Sequence, residues 1–391
     1  MQQPLAGLRV VEFTHMVMGP ACGLALADLG ADVIKVEPAA EGSRPAGDNT
    51  RRLRNAGAGF FAMLNRNKRS LTLDLKSADG LALARRLLRD ADVLVENFRP
   101  GALDALGLGW EALRGENPRL IYASCKGFLP GPYAHRTALD EVVQMMGGLA
   151  YMTGLPGKPM RAGSSVNDLM GGTFAALGVL AAVEERHRTG VGKHVQAGLF
   201  ENTAFLVAQH MAQARIMGEA PPPMGIRRPA WAVYDIFDTA DGSQVFVGVV
   251  TDTQWRVMCE AFDLPDLADD PRLVTQTQRV AARDWTLPRI AAAFATFDKA
   301  ALMARCEALG LPYAPISAPV DLFHDPHLLG SGGLVEVTLP DGQALPLPAL
   351  PLSLDGERMP LRRGLPAPGQ HNAEIMAELG WTPAGPGPGV P

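Results

Sequence analysis

From residue 8 to residue 38 the chain alternates in a way that few folds accommodate. Residues 8–13, Leu8-Arg9-Val10-Val11-Glu12-Phe13, read as a short buried strand that ends in a loop over 14–20. Residues 21–29 are helix-like and stop at Gly30, and residues 32–38 are a second strand. A strand, a helix and a strand in this order close into a parallel pair, because only a crossover of that length can return the chain to the same end of the sheet. The alternation continues with strands over 70–75, 92–97, 119–125 and 192–200 and helices over 80–89, 102–106, 110–114 and from near Asp168 to 189. The fold class expected is α/β: a large parallel-sheet domain with a smaller α+β domain.

The breaker cluster Ala220-Pro221-Pro222-Pro223-Met224-Gly225 marks the clearest boundary. Before it, a long helix is expected from Glu201 to about Met217. Beyond it, strands over 232–237 and 244–250 flank Asp241-Gly242 as a hairpin, with helices over 254–262, 286–294 and 300–309. A second Asp-Gly pair, Asp341-Gly342, lies between apolar runs 335–339 and 344–347. The Pro- and Gly-rich tail is expected to pack over other parts rather than to form core. Three segments result: 1–220, 221–325 and 326–391.

Candidate chemistry centres on Gly163-Ser164-Ser165-Val166-Asn167-Asp168-Leu169-Met170-Gly171-Gly172. One carboxylate precedes a small-residue run that ends in Glu184-Glu185-Arg186-His187-Arg188-Thr189-Gly190, a charged last turn with a glycine stop. Taken alone, the stretch reads first as an N-cap aspartate on a buried helix. An acid there is expected to be held ionised by free N–H groups and the helix dipole. Gly171 and Gly172 would let another molecule approach the backbone closely.

Composition removes several function classes. A net charge of −5 gives no case for nucleic acid or an anionic membrane. The apolar run near residues 174–183 is too short to span a bilayer. Cys22, Cys125, Cys259 and Cys306 are far apart and form no metal-ligand spacing, the histidines are scattered, and no metal is expected. With no apolar signal core in residues 1–9, the expected setting is cytoplasmic, with reduced thiols. There is no GxGxxG, no P-loop and no GxSxG elbow. What remains is Asp168 together with polar residues at strand ends: His15, Asn97, Lys126 and Glu141.

Several segments together resemble the class III CoA-transferases, the type of formyl-CoA transferase, carnitine CoA-transferase and succinyl-CoA:dicarboxylate CoA-transferase. They are Glu12-Phe13-Thr14-His15 with Gly19-Pro20, Leu29-Gly30-Ala31-Asp32 through Pro38, Asn67-Lys68-Arg69-Ser70, Val95-Glu96-Asn97-Phe98-Arg99-Pro100-Gly101, Arg186-His187-Arg188-Thr189-Gly190, and Gly369-Gln370-His371-Asn372. The resemblance spans nearly the whole chain. It implies a large Rossmann-like CoA-binding domain that the C-terminal segment rejoins, and an interlocked homodimer. It also implies coenzyme A as substrate, with no prosthetic group.

By position, Asp168 matches the family's catalytic aspartate. His15, Val17, Met18, Leu73, Asp74, Leu75, Lys76, Asn97, Phe98, Arg99, Lys126 and Glu141 match or adjoin segments that line the CoA channel. Pro38, Ala105 and Ala138 stand where formyl-CoA transferase has basic CoA contacts. Met224-Gly225-Ile226-Arg227-Arg228-Pro229 stands in place of its glycine-rich active-site loop.

The expected reaction passes CoA from an acyl-CoA, succinyl-CoA in the first instance, to a carboxylic acid, in the first instance a dicarboxylate. Thioester energy would be kept in an aspartyl anhydride and then an aspartyl-CoA thioester. Backbone N–H groups near Gly171-Gly172 are the expected oxyanion donors. Arg51, Arg52, Arg54, Arg227 and Arg228 are the candidates for a second carboxylate. The alternatives are an α-methylacyl-CoA racemase of the same superfamily and a CoA-binding protein without catalysis. The racemases carry a His-Asp pair where Leu139-Asp140 stands here, and leucine carries no proton.

Overall fold

The structure, a computed structural model, describes residues 3–226, 230–339 and 341–382. The chain divides into two compact units, residues 1–225 with 326–391, and residues 226–325. The breaker cluster stays with the first unit, where the Met224 N–H donates to Met152 O at 2.8 Å.

The large unit is built on six strands: β1 (Arg9–Phe13), β2 (Asp32–Pro38), β3 (Lys68–Leu73), β4 (Val93–Glu96), β5 (Ile121–Lys126) and β6 (His194–Gly198). Their order is β3-β2-β1-β4-β5-β6, and every pairing is parallel. The chain winds outward one way from β1 through β2 and β3, then back across to β4. The strand order therefore reverses between β1 and β4, the place in an open sheet where crossovers diverge and leave a crevice at the carboxyl edge.

Alternate residues of each strand point to opposite faces. Val10, Val33, Val93, Val95, Ile121 and Ala123 face the helix Met18–Asp28 and the long helix Val166–Thr189. Val11, Ile34, Leu94 and Tyr122 face the helices Ala78–Arg89 and Trp110–Glu116. The long helix ends where expected, with Gly190 left-handed at φ 73°. At 24 residues it is long and apolar enough to cross a membrane by length and composition, which the apolar run read as too short did not suggest. Here it packs on the sheet and the first helix through Ala175, Ala176, Val179 and Ala182.

Two expectations change. The segment from Glu201 to Met217 is two helices, Leu199–Leu206 and Ala208–Met217, broken at Val207. The C-terminal segment also supplies core, since the helix Asn372–Glu378 and the residue after it insert Ile375 and Leu379 beside Leu71 and Leu83. Backbone capture at β3 explains the docking. Asn67 Oδ1 accepts the N–H groups of Arg362 and Arg363 at 2.7 and 2.8 Å, and His371 Nδ1 accepts the Ser70 N–H at 3.1 Å.

In the small unit β7 (Val233–Asp238), β8 (Gln244–Val249) and β9 (Tyr313–Pro315) form an antiparallel sheet. Gly242, at φ 74°, supplies the left-handed residue of the β7–β8 turn. The helices Asp252–Ala261, Arg283–Phe294 and Lys299–Ala308 cover one face through Trp255, Met258, Phe294 and Leu302.

Candidate active site

At the reversal point the turn after β1 is held from below by buried charge. Lys68 Nζ donates to Glu12 Oε1 (2.9 Å), Pro20 O (3.0 Å) and Asn65 Oδ1 (3.2 Å), and Lys35 Nζ donates to Thr14 O (2.8 Å). Lys35, Lys68 and Glu12 are fully buried. These bonds grip both ends of residues 14–20. Within that turn Met16 is left-handed at φ 62°, a conformation that costs a side-chain-bearing residue energy and persists only where its surroundings impose it. From β4, Asn97 completes the grip: Oδ1 accepts the His15 N–H at 3.0 Å and Nδ2 donates to His15 O at 2.7 Å. The rings of His15 and Phe98 lie 6.0 Å apart. Burial holds the His15 imidazole below its ordinary pKa, against the opposing charge of Asp48.

Of the residues proposed for CoA, His15, Asn97 and Phe98 are thus brought together, and Lys126 joins them. Lys126 Nζ binds Glu96 Oε1 at 2.7 Å and Phe98 O at 2.9 Å. Leu73, Asp74, Leu75 and Lys76 follow β3 at the same carboxyl edge, two strands away. There the Lys76 N–H donates to Asp74 Oδ1, and Lys76 Nζ pairs with Glu41 at 2.8 Å. Arg99 is exposed after β4. Val17 and Met18 are buried, Val17 beside Leu169 and Met18 against Gly171. Glu141 stands apart from the strand ends, on the helix Asp140–Met146, and pairs with Arg161 at 2.6 Å.

The glycines of the long helix serve its packing. A Cβ on Gly172 would stand 2.5 Å from Met18 O and 2.7 Å from Ala21 Cβ, and one on Gly171 2.8 Å from Met18 Cε. The close approach is made by the first helix, so these positions are not open to another molecule. Their N–H groups lie inside the helical ladder as well, which removes them as oxyanion donors. The contact has a consequence for the site: it presses the turn that carries His15 against the start of the helix that carries Asp168.

That start is capped by another helix. Ser165, the N-cap residue, makes no side-chain cap bond. Instead Asp140 Oδ1 accepts the N–H groups of Asn167 (2.9 Å) and Asp168 (3.2 Å). Asp140 Oδ2 is held by Gln144 Nε2, and Gln144 Oε1 accepts the Ala162 N–H at 2.8 Å. Arg161 Nη2 lies 3.8 Å from Asp140 Oδ2. Asn202 Nδ2 donates to Asn167 O at 3.0 Å.

Asp168 is therefore not kept ionised by the helix start. Its half-buried carboxyl is raised from 3.8 to about 7, first by burial, then by the negative charge of Asp140, with Arg161 opposing. The donors that would have stabilised its charge are occupied by a second carboxylate. Sequence reasoning missed this pair because the two residues are far apart in the chain. The only signal was the acid at a helix start in Asp140-Glu141.

The arginines expected to meet a second carboxylate fare differently. Arg51 is spent on Glu37, at 2.7 Å, and stacks on Phe61. Arg52 donates to Ala46 O and Asn49 Oδ1. Arg54 is exposed, while Arg227 and Arg228 lie outside the described residues. Asp48 and Thr50 are buried, so this stretch is more than a solvated loop. The arginine whose charge reaches Asp168 is Arg161. Among the described residues no group of three or more His, Cys, Asp or Glu side chains could hold a metal.

The model of CoA-transferase family III matches residues 5–372. The chain is 36% identical over 390 residues to succinate–glutarate CoA-transferase of Agrobacterium fabrum, covering 96% of each. It is 35% identical to succinyl-CoA–D-citramalate CoA-transferase of Chloroflexus aurantiacus, covering 96% of this chain and 94% of that one. The crystal structure of a CAIB/BAIF family protein from Brucella suis superposes with a TM-score of 0.84 at 33% identity, covering 97% of this chain and all of that one.

Proposed function

The chain belongs to CoA-transferase family III, and we propose that it passes coenzyme A from succinyl-CoA to a second dicarboxylic acid through covalent intermediates on Asp168. The observation that carries this reading is the Asp168 carboxyl itself: half-buried, at the start of the long helix, and more basic than an ordinary carboxylate. A more basic carboxylate is a better nucleophile once ionised, and a site shielded from water protects an anhydride from hydrolysis.

In the proposed sequence an ionised Asp168 oxygen attacks the succinyl-CoA carbonyl. The new C–O bond forms, the C–S bond breaks, and the CoA thiolate leaves with the electron pair. The thiolate then attacks Cγ of Asp168 and expels succinate, leaving an aspartyl-CoA thioester. The acceptor carboxylate repeats the two steps in reverse. The thiol-bearing arm of CoA would reach Asp168 past the His15 turn, with its nucleotide along the carboxyl edge near 73–76 and 97–99. Lys76 and Arg99 are the cations offered there, since Pro38, Ala105 and Ala138 offer none.

The relatives named for glutarate and D-citramalate support a dicarboxylate acceptor. The setting proposed is cytoplasmic. The assembly proposed is an interlocked homodimer, whose second copy would cover Phe205, Met211, Ile216 and Met217, now 62–81% exposed. Racemisation needs two acid/base groups on opposite faces of the α-carbon. Leu139 supplies none, and His135 is exposed on a turn. Incubation with succinyl-CoA and a panel of mono- and dicarboxylates, read by mass spectrometry, tests the reading. Dicarboxylyl-CoA products are expected; equal transfer to acetate or formate overturns the acceptor class, and deuterium entering a branched acyl-CoA without transfer favours the racemase.

A further inference from the structure

Three carboxylates, Asp140, Glu141 and Asp168, share one guanidinium at the start of the long helix. Arg161 gives its short contact, 2.6 Å, to the exposed Glu141 and stands 3.8 Å from Asp140. Asp140 is buried, and both of its oxygens are fixed, one on two backbone N–H groups and the other on Gln144. A carboxylate tied to the N–H of the residue whose side chain reacts cannot swing away when that side chain ionises. Among the described residues, the charges that bear on Asp168 are those of Asp140 and Arg161. The first helix presents Met18, Ala21 and Cys22. The helix Leu199–Leu206 presents Asn202, and its Glu201 is turned onto the Leu129 N–H at 3.2 Å.

We propose that Asp140 is a positioning residue of the transfer: bound to the N–H groups of Asn167 and Asp168, it fixes the helix start and sets a negative charge beside the nucleophile, with Arg161 as the counterweight. The proposal rests on Asp168 as the nucleophile. Its physical content is a difference between states. Asp168 in its ionised, attacking form is repelled by Asp140, whereas Asp168 in the anhydride or the CoA thioester is neutral and is not. The like charge raises the ionised ground state and leaves the covalent states untouched, so it favours acylation. Each step keeps its electron balance: the pair that forms the Oδ–carbonyl bond comes from Asp168, and the pair of the broken C–S bond leaves on CoA.

The test is the pH dependence of the first half-reaction. Full-length protein is mixed with succinyl-CoA without acceptor, and the gain of CoA on Asp168 is followed by intact-protein and peptide mass between pH 5 and 9. Asp140→Asn keeps an oxygen for the two N–H groups and removes the charge; the acid limb should move down by about one pH unit. Arg161→Gln, at a half-exposed position, should move it up. Opposite shifts are what a shared electrostatic site requires, and a merely structural role would give none or shift both variants alike. Coincident limbs, or shifts of the same sign, overturn the role of Asp140 while the wild-type adduct leaves Asp168 in place. Absence of any Asp168 adduct in the wild type overturns the nucleophile, and the role of Asp140 with it.

Discussion

Asp168→Asn should stabilise the unliganded protein at alkaline pH while abolishing transfer. Burial and Asp140 raise the carboxyl from 3.8 to about 7, and each unit corresponds to about 1.4 kcal/mol. The ceiling is therefore about 4 kcal/mol, and partial solvent access screens roughly half of it, leaving about 2 kcal/mol. The sign follows from linkage: the native state binds this proton more tightly than the unfolded chain. Stability is thus undiminished below about pH 4, falls as the pH rises towards 7, and stays low above it. Asparagine is neutral at every pH, so the gain should be full at pH 8 and smaller at pH 5. For a domain of this size about 2 kcal/mol is roughly 3 °C in Tm. Calorimetry of both proteins at the two pH values reads it directly. An unchanged or lowered Tm at pH 8, or an equal gain at both, would show that Asp168 is not held against its own charge.

Three further substitutions probe the scaffold. Lys68→Met should lower stability by about 3 kcal/mol, read as a lower urea midpoint, because buried Glu12 and Pro20 O lose their shared donor. Gly172→Ala should cost about 1–2 kcal/mol, overpacking against Met18 O outweighing the gain in helix propensity. Gly178→Ala should cost less, since its new Cβ would meet only the side chain of Val195; equal melting temperatures for the two variants would remove the backbone-contact argument.

The sheet was legible because each strand is a short apolar run bounded by breakers, and Asp168 was legible as an acid before a small-residue helix. What surrounds Asp168 was not. Asp140 reaches it across a loop, and Arg161 reaches it from yet another segment, so no local pattern links the three. The glycines at 171 and 172 announced a close approach, expected from another molecule, and the partner is instead the first helix. In the sequence Lys35 falls inside the expected strand 32–38 and Lys68 just before the expected strand 70–75, with nothing local to mark either as buried. Only the fold shows them buried under the His15 turn. The break at Val207 escaped notice because both flanking sequences are equally helical in composition.

The most direct measurement is peptide mass spectrometry of the protein mixed with succinyl-CoA alone, beside Asp168→Ala under the same conditions. The account predicts a CoA adduct on the peptide containing Asp168, discharged by an added dicarboxylate into a new acyl-CoA, and neither adduct nor product in the variant. Transfer that persists in Asp168→Ala would contradict it.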